Sequence, residues 1–210
     1  MGDQPVLPSR AVEADAGVAE EDTLRARFYA LLARLLAEPP SDATMASLRA
    51  LEGDDTEIGR SLTALRAVAA KTSVEQAEEE FGALFVGTGT EAELLPYASY
   101  YLTGFLYERP LAQLRGRLAE LGIERSGRGR EPEDHIAFLC EVMHGLIVGS
   151  FGKGAGTEVQ REFFRAHILP WAGRFFQDLE KSKSAVLYMP VATIGRLFVG
   201  VEEEAFEMAA

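Results

Sequence analysis

Cysteine is almost missing from this chain. Cys140 stands alone, which excludes an intramolecular disulfide and a cysteine-built zinc or iron–sulfur centre, and fits a reducing compartment. Histidine is nearly as scarce, with only His135, His144 and His167. The spacing of His135 and His144 is about 2.5 helical turns, so they fall on opposite faces. No H-E-x-x-H run is present, and no metal site or cofactor is expected. Positive charge is also short: 21 Lys and Arg stand against 33 Asp and Glu, a net charge of −12. That balance argues against non-specific nucleic-acid binding and favours encounter with a basic partner. Long apolar runs are absent, so no membrane insertion is expected. Met1 to Val18 lacks the apolar centre of a signal peptide, and a cytoplasmic protein is the expectation.

What remains is helical pattern. Leu24, Phe28, Leu31, Leu32 and Leu35 keep the spacing of one helix face until Pro39-Pro40 stops it. Ser41 can cap the next helix, and Ile58, Leu62, Leu65 and Ala69 mark another. Ser73 and Gln76 match a capping box ahead of Ala77, Phe81, Leu84 and Phe85. Pro110 opens a helix carrying Leu111, Leu114, Leu118 and Leu121. Ile136, Leu139, Met143, Leu146 and Ile147 form the stripe of an amphipathic helix, and Thr157 with Gln160 suggests a second capping box. Pro170 kinks or restarts the chain at Trp171. Ile194, Leu197, Phe198 and Val201 end the pattern before Glu202-Glu203-Glu204. No run alternates as a strand does. The reading is an all-α single domain of two packed helical halves over 21–210. Residues 1–20 form a loosely attached acidic tail, and 126–130 are a candidate hinge.

Several segments invite chemistry. Gly152-Lys153-Gly154-Ala155-Gly156 and Gly87-Thr88-Gly89 lack the preceding strand and the Gly-Lys-Ser/Thr end of a phosphate loop, so both read as helix connections. Cys140 borders an apolar stripe, where a buried, unreactive thiol is expected. Residues 86–104 make an aromatic-rich loop with Tyr97, Tyr100 and Tyr101, whose rings must pack or line a groove.

Glu131-Pro132-Glu133-Asp134-His135-Ile136 is the densest motif. Pro132 suits a first helical position, and the acids suit the positive end of the helix dipole. Asp134 and His135 then have three readings. They are an acid and a cap at a helix start, a general acid/base pair in a small helical enzyme, or a recognition site. In the last, carboxylates hold arginine through charge-assisted hydrogen bonds beside an aromatic groove that Trp171 and the tyrosines could supply. A helical adaptor for folded partners is a further possibility.

Three blocks in order resemble the TorD/DmsD family of molybdoenzyme maturation chaperones. They are Leu84-Phe85-Val86-Gly87 followed by Pro96-Tyr97-Ala98-Ser99-Tyr100-Tyr101, then Glu131-Pro132-Glu133-Asp134-His135, then His167-Ile168-Leu169-Pro170-Trp171. The resemblance implies an all-α, non-enzymatic chaperone. It would bind the twin-arginine signal peptide of an apo molybdopterin oxidoreductase and assist its cofactor loading before export. It implies a signal-peptide site of Asp134, His135, Pro96, Tyr97, Tyr101 and Phe85, supported by Glu131, Pro132 and Trp171. Tyr97 and Tyr101 depart from the tryptophans of familiar members. Monomer and homodimer are both compatible, with 126–130 the hinge of a domain-swapped form.

Overall fold

A helix that is apolar on nearly every side belongs in the middle of a fold. In the computed structural model, which describes residues 20–87, 91–124, 131–151 and 156–209, that helix is α7 (Ile136–Val148). The expected stripe is buried, but so are Ala137, Cys140, Val142 and Gly145 between its members. α7 is therefore central and not amphipathic. It packs along α1 (Glu20–Ala37), and His144 Nδ1 lies 3.0 Å from the Ala26 carbonyl oxygen.

The chain is all-α among the described residues, with one isolated bridge, between Tyr97 and His135, as its only β pairing. α2 (Asp42–Arg49) follows Pro39-Pro40 and is capped by Ser41; α3 (Glu57–Ala69) is capped by Thr56. The Ser73–Gln76 box opens α4 (Val74–Phe81) with both reciprocal bonds. There the expected helix changes pitch. A π-helical turn, Gly82–Val86, ends on left-handed Gly87 and leaves Phe85 half-buried and Val86 exposed. The loop expected over 86–104 contains a short helix, α5 (Ala98–Thr103). α6 (Arg109–Glu120) begins with Pro110 in its first turn.

Gly156, not Thr157, stands at the cap of α8 (Thr157–His167), because the Gln160 side chain is buried and accepts from Arg25. Pro170 restarts the chain: α8 ends before it and α9 (Ala172–Lys181) begins after Trp171. α10 (Tyr188–Met208) packs on α9 and α3, and it approaches α9 so closely that a Cβ on Gly195 would lie 2.3 Å from the Phe176 ring.

Two charged groups pin α10. Glu80 accepts from the backbone N–H groups of Val186, Leu187 and Tyr188 at 2.7, 3.0 and 2.8 Å, satisfying donors at the helix start. Glu202, expected in an acidic run beyond the helix stripe, is inside the helix and fully buried. Arg25 grips it through Nε and Nη2 at 2.6 and 2.9 Å, and the Tyr29 hydroxyl donates to it at 2.9 Å. The tail expected at 1–20, apart from Glu20 in α1, and the hinge at 126–130 lie outside the described residues. No helix among the described residues is long and apolar enough to cross a membrane.

Candidate functional site

The first two sequence blocks meet through their backbones. Ala98 N–H donates to the Asp134 carbonyl at 3.0 Å and Ile136 N–H to the Pro96 carbonyl at 2.9 Å. The Asp134 carboxylate adds a third link, its Oδ2 accepting the Ser99 N–H at 2.8 Å. Both segments are held at helix starts by this clasp, since α5 begins at Ala98 and α7 at Ile136.

Local chemistry then corrects the reading of Glu131 to His135. Pro132 is buried but precedes the helix by a full turn, closed by His135 N–H onto the Pro132 carbonyl at 3.2 Å. The acids are not dipole partners of α7. The Tyr97 hydroxyl donates to Glu131, Arg115 binds Glu133 at 2.7 Å, and Asp134 serves α5. The cap is His135, whose Nδ1 accepts the Ala137 N–H at 3.1 Å. In the neutral ring that leaves the proton on Nε2. Tyr97 meets the His135 ring edge-on at 5.0 Å, and burial with the Glu131 carboxylate pushes its phenol pKa well up.

Asp134 is 1% exposed. A direct, surface anchorage of arginine by Asp134 does not fit that burial, because one oxygen is committed to Ser99 and a guanidinium has no open approach to the other. Asp134 Oδ1 and Ser99 Oγ are buried with no hydrogen-bond partner. Asp134 also borders a small pocket of about 30 Å³ shared with His167, enough for one ordered water. His167 itself is held neutral, its pKa lowered to about 4 by burial and then by Arg117. The Cys140 thiol is buried and its pKa is pushed well up by desolvation.

α5 carries the other half of the predicted set. From its clasped N-terminus it presents Tyr100, Tyr101 and Leu102 to an open cleft of about 930 Å³. Phe85 and Val86 reach the same cleft from the π turn, so its wide pitch is what aims them there. Tyr101 lies over Trp171 at 5.5 Å and meets Phe175 edge-on at 5.9 Å, and burial with the nearby Asp178 charge pushes its phenol pKa well up. Trp171 is 2% exposed and ties down through Nε1 to the His167 carbonyl at 2.8 Å. It supports the cleft wall from beneath.

The predicted residues thus divide into two neighbouring groups. Pro96, Tyr97, Glu131, Pro132, Asp134 and His135 build the clasp; Phe85 and Tyr101 line the cleft, with Trp171 behind. Sequence reasoning missed Glu91, Asp178 and Arg174, which give the cleft its charge, and Glu93, which also bonds Lys183 N–H and Ser184. It also missed Phe105 and Tyr107, each 70% exposed just beyond α5, with Tyr107 at φ 62. A bulky side chain at positive φ is the one available signal of a special turn there, and it is not visible in sequence.

A family model described as nitrate reductase delta subunit matches residues 51–177. A chaperone protein TorD from a Psychrobacter species is 27% identical over 173 residues, covering 73% of this chain and 78% of that protein. The TorD of Actinobacillus succinogenes is also 27% identical, over 76% of this chain and 86% of its own length. In fold, the crystal structure of a redox enzyme maturation protein from Archaeoglobus fulgidus superposes with a TM-score of 0.56. It does so at 19% identity, over 84% of this chain and 94% of that one. The family match spans more than half the chain and carries the clasp and every named cleft residue except Asp178, and this protein belongs to the nitrate reductase delta subunit family, in its TorD-like group.

Proposed function

We propose that this protein is a maturation chaperone that holds the twin-arginine leader of an apo molybdopterin oxidoreductase while its cofactor is loaded and the enzyme folds for export. The carrying observation is the cleft beside α5, with an aromatic and aliphatic wall of Phe85, Val86, Tyr100, Tyr101 and Leu102 and the acids Glu91, Glu93 and Asp178 against one cation, Arg174. A leader offers two guanidinium groups and then an apolar stretch, which is the complement of that lining. Val86 and Leu102 stand 65% and 45% exposed, so the apolar wall has surface left to bury.

In this reading the clasp is the organiser and the cleft the contact surface. Asp134 acts by fixing where α5 starts, hence where Tyr100, Tyr101 and Leu102 point, and His135 by capping α7, to which that start is clasped. Asp134 Oδ2 and His135 Nδ1 each accept from a backbone N–H group, which favours a positioning role over acid/base chemistry.

Titration calorimetry with a synthetic twin-arginine leader tests this. Replacing both arginines by glutamine, or making Glu91→Gln with Asp178→Asn, should weaken binding at least roughly tenfold, about 1.4 kcal/mol. Equal affinity for the leader and its diglutamine form would sink the proposal.

A further inference from the structure

We infer that a second groove, between α1, α3 and α10, docks an amphipathic helix of a partner protein, apolar on one face and flanked by lysine or arginine. This site shares no residue with the cleft and does not depend on leader binding. The first observation is a mismatch between pattern and burial. Leu24 and Val201 sit on the apolar stripes of α1 and α10, where the periodicity expects core. They are instead 55% and 50% exposed, on the lips of one groove.

Between them lies an apolar floor. Phe28 and Phe198 stack at 5.1 Å, Ile58 and Leu62 close the α3 side, and the space holds about 590 Å³. Two stripes left uncovered toward the same hollow make a continuous apolar surface of the kind that marks an interaction site.

Charge decides the class of occupant. Glu21, Glu52 and Asp54 stand exposed around the rim. Thr56 hydrogen bonds hold the Asp54 carboxyl below its usual range, so it is charged at neutral pH. The groove's cation, Arg25, is already bound to Glu202 and Asp22. The rim is therefore net acidic and complements Lys or Arg. A helix satisfies its own backbone hydrogen bonds, whereas an extended segment would meet only helices here and find no sheet edge among the described residues.

The test uses the full chain and a labelled four-turn helical peptide of leucine and lysine, read by fluorescence anisotropy. The exposed positions Leu24→Glu with Val201→Glu should weaken binding at least roughly tenfold, with the melting temperature and leader affinity kept. Glu21→Gln with Glu52→Gln should weaken it several-fold, and Tyr100→Ala in the cleft should leave it unchanged. No binding of the peptide, equal binding of a leucine–glutamate version, or loss only with Tyr100→Ala would each overturn the inference. So would sedimentation of a wild-type dimer that the Leu24 and Val201 changes dissolve, because the occupant would then be a second copy.

Discussion

Asp134 Oδ2 accepts the Ser99 N–H at 2.8 Å across 35 residues of chain, and with two backbone bonds it seats the start of α5 against the start of α7. The carboxylate is buried and its Oδ1 makes no hydrogen bond, so the group is worth more to the fold as an acceptor than as a charge.

Asp134→Ala should therefore destabilise the protein by about 1–3 kcal/mol, because it leaves the Ser99 N–H unsatisfied in the interior. Asp134→Asn keeps an acceptor carbonyl and should lose markedly less. Urea unfolding gives the stabilities and calorimetry the leader affinities. If Asp134 only positions α5, Asn retains leader affinity near wild type while Ala weakens it. An Asn variant with full stability and no leader affinity would restore the direct arginine anchor.

Sequence made the local signals legible and the long-range ones not. Ser41, the Ser73–Gln76 box and Pro110 act within a turn of where they stand, and each helix start follows. Thr157 had the same pattern and failed, because Gln160 is drawn to Arg25 across 135 residues. Glu202 read as part of an acidic run after the last helix stripe, and only the fold puts it against Arg25 and Tyr29. The same limit split the site. Block order brought Pro96, Tyr97 and Asp134 together correctly, but burial decides that Asp134 faces inward while Glu91 and Asp178 face the cleft.

The Arg25–Glu202 pair gives a second expectation. Glu202→Ala should cost about 1–3 kcal/mol, since it leaves the part-buried guanidinium with only Asp22 and Gln160 and takes the acceptor from the buried Tyr29 hydroxyl. Replacing both Arg25 and Glu202 by methionine should recover most of that loss, because neither desolvated charge remains. Chemical denaturation of Arg25→Met, Glu202→Met and the double variant closes the cycle. A double variant as unstable as Glu202→Ala would mean that packing, not charge, holds α10 to α1.

His167 sets a pH dependence. Its pKa falls from 6.5 to about 4, through burial first and Arg117 second. Between those values the unfolded chain takes up a proton that the folded chain refuses, so this contribution is full above pH 6.5 and declines as pH drops toward 4. Allowing for partial exposure, the decline is roughly 1–2 kcal/mol over the window. Asp54 and Glu75, whose carboxyls are lowered by hydrogen bonds to Thr56 and within the Ser73 cap, also lose stability on acidification, in wild type and variant alike. Melting curves of wild type and His167→Gln from pH 4 to 7 isolate the histidine. The variant should show the flatter slope, and parallel slopes would remove the effect.

The net charge of −12 bears on how a basic leader arrives. Long-range attraction acts before contact, so it raises the association rate more than it slows departure. At about 0.01 M salt the screening length is ~30 Å, and by about 0.5 M it has shrunk to a few ångströms. The association rate of the leader should fall about tenfold between these conditions, while dissociation changes much less. Glu91→Gln with Asp178→Asn removes local contacts but little of the total charge, so it should speed dissociation and keep most of the salt slope. Stopped-flow fluorescence separates the two rates. A salt-independent association rate would mean that the leader is captured by its apolar stretch alone, and that the protein's charge serves solubility.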